Sequence, residues 1–403
     1  MSTDAFAIFE AAHGGGVIRD PHTRWNQLRR DCPVFVGDAD PQVADGAPSI
    51  MGDRPVFSVL GFDAVTEVLR DGSTYATSII HDMMAPVLGK IILGMDPVAH
   101  KEHRALVQEL FSRRTLVGWT EKVIVPVVDD HISKFENDGH ADLVSQLTFT
   151  FPVFVIAALL GLPDEDLADF HRWAVEMICL PFDPELGIAG SARLAEYLTP
   201  LVAQRRADPR SDVISTLATA ELHGARLTDQ EVVDFLRFLL EAGAETTYRS
   251  SSNLLYGLLA QPRLLDEVRE NRDLLPRAME EALRWEPPLT VIFRVATVDT
   301  ELAGVAIPAG SVISINLGAA NRDENRWGNP DVFDIHRPAL AHHAFGFGPH
   351  ICLGMHLARA ETLVMMNAVL DRLPNLRLDP SVDDIAITGS TFRAPRALPV
   401  LFG

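Results

Sequence analysis

Cys352 stands in the run Phe345-Gly346-Phe347-Gly348-Pro349-His350-Ile351-Cys352-Leu353-Gly354. Glycines and a proline at this density forbid regular strand or helix and permit tight turns with close backbone approach. The stretch after it, Leu353 to Leu370, carries apolar residues at helical spacing with few breakers, so it reads as a helix. Cys352 therefore sits in a rigid loop just ahead of a helix N-terminus. Backbone N–H groups there favour a thiolate, the form of cysteine that binds metal. A cysteine packed as a small hydrophobe is the alternative; the glycine lattice around it favours ligation. A second set lies upstream. His100 and Arg104 project from one face of a helix opened by Asp96-Pro97, and two such groups can clamp a carboxylate or phosphate. His103 lies off that face. A third set, Ala242-Gly243-Ala244-Glu245-Thr246-Thr247, interrupts a largely apolar helical pattern. Glycine inside a helix costs about 1 kcal/mol, and a threonine hydroxyl can bond a helix carbonyl and bend the helix. An acid next to a hydroxyl suits general acid work.

Phe345, Gly346, Gly348, His350, Cys352 and Gly354 resemble the haem-binding loop of the cytochrome P450 haem-thiolate monooxygenases, in the form common among soluble bacterial members. The resemblance implies a P450 fold, mainly α with a small β-rich lobe (α+β), and haem b (iron protoporphyrin IX) as cofactor. Cys352 is then the metal ligand, an axial thiolate that pushes electron density toward iron and favours O–O cleavage. His350 takes the place of a basic residue near a propionate. His100 and Arg104, in an Asp-Pro-x-x-His setting, and Arg294 fall on the propionates. Phe345, Gly354 and Ala242 complete the implied cofactor-binding set. The Ala242 to Thr247 stretch resembles the family's oxygen-binding groove, which implies that Glu245 and Thr246 are catalytic and deliver protons to dioxygen. Glu281 and Arg284 match the family's Glu-x-x-Arg pair, with Arg337 as partner, a buried scaffold rather than catalysis. Phe238, Leu239, Glu241, Ala242, Thr290, Val291, Ile292, Thr391 and Phe392 are implied to border the substrate.

Glu241 departs from the family's pattern, since relatives commonly carry an aliphatic residue there. Arg237, Glu241, Glu245 and Arg249 recur at intervals of four, which lets them form an alternating ladder on one helix stripe. In one reading Arg237 and Arg249 neutralise both acids. In the other Glu241 faces the pocket and recognises a polar or cationic group.

The implied reaction puts one atom of dioxygen into a small apolar substrate. Electrons come from NAD(P)H indirectly, through a ferredoxin or flavodoxin type donor. No flavin motif or phosphate loop occurs, so no fused reductase is expected. Arg113, Arg114 and Arg359 either form a basic docking patch on the cysteine side or merely solubilise it. A peroxide-driven haem-thiolate enzyme and a non-catalytic haem or gas-binding protein are the alternatives. The acid–threonine pair argues against both.

The elements that must hold these residues can be read in order. Trp25 to Arg30 reads as a helix, Pro33–Val36 and Pro55–Val59 as strands with a loop over 37–54, and Phe62 to Leu69 as a short amphipathic helix. Residues 76–95 show no clean period, hold Met83, Met84, Pro86 and Gly89, and read as an apolar loop. By resemblance it covers the distal side of the haem. Two helices are expected between Leu116 and Leu162, broken near Asn137-Asp138-Gly139. Residues 164–206, with Phe170, Trp173, Met177 and Phe182, form the implied lid pair of helices. After a helix over 212–220 and a turn at His223-Gly224-Ala225, Thr228 and Glu231 make a capping box that opens the longest helical pattern. Leu289 to Ala296 is a β-type run. Short strands follow to 317, with turns at Ala303-Gly304 and Pro308-Ala309-Gly310, and again in the tail. One domain over 1–403 is expected, β-rich at about 33–60, helical over about 62–290, with β structure and the haem loop in 290–403.

The 403 residues are 47% hydrophobic and 22% charged, an ordinary globular composition. A net charge of −20 argues against nucleic acid or an anionic membrane as main partner. Cys32, Cys179 and Cys352, odd in number and widely spaced, suit a reducing cytoplasm better than a disulfide framework. Met1 to Gly16 shows no signal peptide, and the run Phe151 to Leu162 is too short to span a bilayer. The expectation is a cytoplasmic monomer without a membrane anchor.

Overall fold

The computed structural model describes residues 18–39, 53–95, 97–180, 183–222 and 224–403. The expected N-terminal coil to residue 17, most of the 37–54 loop, Asp96, Phe182 and His223 lie outside them. The helices are α1 (His22–Asp31), α2 (Phe62–Arg70), α3 (Ser78–Leu88), α4 (Pro97–Val107), α5 (Arg113–Trp119), α6 (Val125–Ser133), α7 (Phe151–Leu159), α8 (Leu167–Ile178), α9 (Pro184–Ala207), α10 (Val213–Thr219), α11 (Asp229–Leu259), α12 (Pro262–Glu270), α13 (Leu275–Trp285) and α14 (Met355–Arg372).

α11 starts where the capping box requires. The Glu231 N–H donates to Thr228 Oγ1, and the Thr228 N–H donates back to the Glu231 carboxylate. Its 31 residues span roughly 46 Å, long enough to run through the whole helical core. Leu236, Leu240, Leu254, Leu255 and Leu258 are buried along it, and α7, α9, α13 and α14 pack against it.

A separate small core holds the β lobe. Strands β1 (Val34–Val36), β2 (Val56–Val59), β3 (Tyr75–Ala76), β5 (Val291–Ala296) and β6 (Val312–Asn316) form one sheet in the order β1-β2-β6-β5-β3. β6 runs parallel to β2 and antiparallel to β5. Phe57, Val59, Ile313 and Ile315 sit on one face by the two-residue period and bury against Val65 and Val68 of α2. In β5, Arg294 pairs with Ile313, so the sheet fixes where that arginine emerges. Ala303 (φ 50°) and Gly304 (φ 82°) form the two-residue turn between strands Thr300–Leu302 and Val305–Ile307.

Two expectations fail. Residues 76–95 are not a loop: α3 occupies most of them, followed by a 3-10 turn at Ile92–Gly94. Pro86 sits in the last turn of α3, where little helix remains for it to break. Burial of Ile79, Val87 and Leu88 outweighs the weak local signal. Between Leu116 and Leu162 the chain makes more than two helices. α5 continues through a wide turn at Thr120–Ile124 into α6. After the break at Gly139 (φ 73°) comes β4 (His140–Asp142), not helix. β4 pairs with β10 (Pro399–Leu401), and β10 with β7 (Arg377–Leu378); β8 (Ile387–Thr388) and β9 (Ala394–Pro395) form a small hairpin.

Candidate functional site

The loop before α14 closes on itself. The Cys352 N–H donates to the Phe345 carbonyl at 2.8 Å. Gly346 and Gly348 have φ of 69° and 72°, a region that favours glycine. At Gly348 a Cβ would fall 2.3 Å from the Leu69 carbonyl oxygen of α2, so only glycine lets the loop lie against that helix. Gly354 is the N-cap of α14, and the N–H groups of Gly354 and Met355 reach the Cys352 sulfur. Cys352 keeps accessible surface although protein surrounds it, as a side chain on the wall of an internal cleft does. Burial raises its thiol above the ordinary value, and these N–H groups with the Arg104 and Arg359 charges only partly offset that. The expected thiolate preference is therefore present but outweighed in the protein alone; metal ligation is what deprotonates such a thiol outright.

Beside the cysteine, α4, β5 and the loop converge four cationic or potentially cationic side chains. The rings of His100 and His350 lie 3.9 Å apart. Burial, then the neighbouring His100, Arg294 and Arg104, drives the His350 imidazole down to about 3. His100, 4% exposed, is lowered by burial and by Arg104, Arg294 and His103. Burial alone brings Arg294 from 12.5 to about 10, and it lowers Arg104 as well. Arg294 Nη1 donates to the Phe293 carbonyl at 2.8 Å. Among the described residues no carboxylate forms an ion pair with any of the four.

That donor set fits haem b. A sulfur on an internal wall next to buried positive charge matches iron at one point and two carboxylates at the other. Uncompensated buried arginine is costly, and an anionic group brought among these side chains removes the cost.

The middle of α11 carries the acid–threonine pair. Thr246 Oγ1 donates to the Ala242 carbonyl at 2.9 Å, the expected back-bond to the helix. Glu245 is buried and accepts from Arg249 Nε at 3.1 Å and lies 3.0 Å from its Nη2. Arg249 stacks over the rings of Tyr248 and Phe392. Gly243 has a packing reason: a Cβ there would lie 3.1 Å from Ile156 of α7.

The four-step ladder forms only in its second half. Arg237 does not meet Glu241; it donates to Asp234 at 2.6 Å and to the Val87 carbonyl and Ser191 Oγ, each at 2.7 Å. Those bonds tie α11 to α3 and α9. Glu241 has no ion pair among the described residues, and burial alone raises its carboxyl to about 7. Phe238, Leu239, Ala242, Gly243 and Thr246 share partial exposure with it, while Leu240, Ala244, Glu245 and Thr247 are buried.

Thr290 is fully buried, and its hydroxyl donates to the Ser390 and Thr391 carbonyls at 2.5 and 3.1 Å. That joins the start of β5 to the turn at Thr391 and Phe392, and a bridge between Leu289 and Phe392 strengthens it. Val291, Ile292, Thr391 and Phe392 keep partial exposure. The scaffold forms as expected. Arg284 meets both Glu281 oxygens at 2.7 and 2.8 Å, and Arg337 Nε meets Oε1 at 3.1 Å. Arg284 also holds the carbonyls of Asn321, Pro330 and Val332, and Asn321 accepts from the His343 N–H at the entry to the cysteine loop.

Arg359 leaves the suggested basic patch. It pairs with Glu280 at 2.6 and 2.8 Å and covers the Phe345 ring at 4.4 Å. Arg113 and Arg114 are exposed, with Arg114 3.8 Å from Glu109. One buried acid went unread in the sequence. Glu361 of α14 is 2% exposed, and burial raises it to about 8 against a hydrogen bond from Thr247. An acid within the apolar periodic stretch Leu353 to Leu370 was the available signal.

Comparison with known proteins gives one answer. A family model described as Cytochrome P450 matches residues 189–390. The chain is 32% identical over 365 residues to a putative cytochrome P450, YjiB, of Bacillus subtilis, covering 88% of each. It is 32% identical to cytochrome P450 monooxygenase PikC of Streptomyces venezuelae, covering 96% of this chain and 92% of that one. The structure resembles CYP109E1 from Bacillus megaterium in complex with testosterone, with a TM-score of 0.85 at 30% identity over 95% of this chain and 99% of the other. It also resembles P450BioI in complex with a hexadecenoic acid-ligated acyl carrier protein, with a TM-score of 0.84 at 30% identity over 95% and 98%.

Proposed function

The chain belongs to the cytochrome P450 family and is an oxidoreductase of the monooxygenase type with haem b as cofactor, and on that premise we propose that it oxidises a small, largely apolar molecule with electrons from a separate ferredoxin or flavodoxin type donor. When bound, the haem supplies dioxygen activation, drawing electrons from NAD(P)H through redox partners. The chain's own residues do the rest. Cys352 holds the iron. His100, Arg104, Arg294 and His350 would hold the propionates of the haem, and Phe345, Ala242 and Gly354 would complete its binding site. Glu245 and Thr246 hand protons toward the substrate, with Arg249 holding the Glu245 carboxyl in place. Phe238, Leu239, Val291, Ile292, Thr391 and Phe392 exclude water around the substrate. Thr290 orders the wall by tying two turns, and Glu241 lies at its edge.

The observation that supports this most is the gathering of His100, Arg104, Arg294 and His350 beside Cys352 with no acid among the described residues to answer them. We further infer a single domain over 1–403 acting as a cytoplasmic monomer. No helix among the described residues is long and apolar enough to cross a membrane.

Turnover of a substrate library is the test. NAD(P)H with a surrogate ferredoxin and its reductase should yield an oxygenated product, and peroxide alone should yield little. Turnover by peroxide alone would favour a peroxide-driven enzyme, and no turnover with either a haem carrier. A reduced carbon monoxide adduct without a thiolate-type spectrum would refute the assignment of Cys352.

A further inference from the structure

Glu241 is the one acid in the middle of α11 that the helix does not answer. At 100° per residue, taking Phe238 as zero, Ala242 falls near 40°, Thr246 near 80° and Leu239 near 100°, while Glu241 falls near −60°. With Gly243 near 140°, the partly exposed residues of mid-α11 lie on one side of the helix, with the buried Glu245, near −20°, among them, and Glu241 stands at the edge of that side next to Phe238. Arg237, near −100°, lies on the far side of that edge and is spent on Asp234, Val87 and Ser191. Asp234 itself accepts from Arg237 and Gln230 and from the Lys90 N–H. Arg249, the other candidate from the ladder, is spent on Glu245. Glu241 thus keeps partial exposure without an ion pair among the described residues, one turn from the acid–threonine pair and next to Phe238 on the helix.

A partly desolvated carboxyl without a protein partner costs free energy that a cationic ligand would offset, and an ammonium offsets more of it than a neutral hydroxyl, which brings no charge. An aliphatic side chain at 241 would avoid the cost altogether. We propose that Glu241 is a specificity-determining residue that binds a protonated amine carried by an otherwise apolar substrate, setting its reacting end one helical turn further along, toward Thr246. The inference rests on the reading that α11 borders the substrate.

The test uses haem-loaded protein whose reduced carbon monoxide adduct has the thiolate-type spectrum, so that failure of the haem assignment is seen separately. N,N-dimethylcyclododecylamine and cyclododecanol are titrated calorimetrically at pH 8, where the amine is protonated. A charge-assisted bond predicts that the amine binds about ten- to a hundredfold tighter than the alcohol. Glu241→Gln should reduce that preference to less than threefold, lowering amine affinity while leaving alcohol affinity unchanged or improved. Glu241→Asp should keep part of the preference, which loss of packing alone would not produce. Failure of the amine to bind, equal binding of the two probes by the parent protein, or a preference that survives Glu241→Gln overturns the proposal.

Discussion

Arg294→Met should move the stability of the protein in opposite directions with and without haem. Arg294 is 4% exposed, and burial lowers its pKa from 12.5 to about 10. The unfolded chain carries the same group charged, so this displacement measures a folded-state penalty present at neutral pH. At 1.36 kcal/mol per tenfold change in proton affinity it comes to about 3 kcal/mol. Methionine fills much of the same volume without the charge, so the haem-free variant should gain up to about 3 kcal/mol, less whatever packing is lost. In the haem-bound protein the balance reverses. A buried carboxylate left without its arginine costs about 3–5 kcal/mol, so haem should leave the variant at least a hundredfold faster. Urea unfolding of the haem-free protein gives the first quantity, and haem transfer to excess apomyoglobin gives the second. A variant less stable without haem, and no quicker to lose it, would show that Arg294 is scaffold and that the gathered cations have another purpose.

Thr246→Ala removes the hydroxyl beside Glu245 and should cut product formed per NAD(P)H consumed by about tenfold or more, read by quantifying both; unchanged coupling would remove Thr246 from proton delivery. Gly348→Ala forces a side chain into φ 72° and onto the Leu69 carbonyl, so it should cost about 2 kcal/mol or more and lower haem content on purification. Glu361→Gln bears on pH. Its folded pKa, about 8, lies above the ordinary carboxyl value of 4.5, so the folded state binds more protons between those limits and stability falls as pH rises through them. Glutamine should remove that fall, up to about 1.4 kcal/mol per pH unit, in unfolding midpoints taken at pH 5, 6.5 and 8; an unaltered slope would assign the dependence to other groups.

Chemistry carried by short local patterns was legible in the sequence. The glycines around Cys352, the capping box at Thr228 and the pair Glu281 and Arg284 each set geometry within a few residues, so reading them required little knowledge of packing. The partners of long side chains were less legible. Arg359 could be read as solvent-facing only until Glu280, far off in sequence, took it. The helix over Ser78–Leu88 was hidden because Pro86 and an irregular apolar pattern lower local propensity, while the burial that overrides them comes from elements elsewhere in the chain.

The ladder on α11 shows why spacing alone cannot assign charge partners. An interval of four brings two side chains within reach, but the stabilisation of such a pair is only about 0.3–0.5 kcal/mol at a surface. Any buried site offering more bonds will win. For Arg237 that site exists, because Asp234, the Val87 carbonyl and Ser191 Oγ together satisfy more of its donors than Glu241 could. For Arg249 the nearest acid is Glu245, with aromatic faces stacked beside it, and the local pair survives. One packing choice at α3 and α9 thus decides the electrostatics of mid-α11. It binds helices α3 and α9 to α11, and it leaves Glu241 the one acid of the stripe whose partner must come from outside the helix.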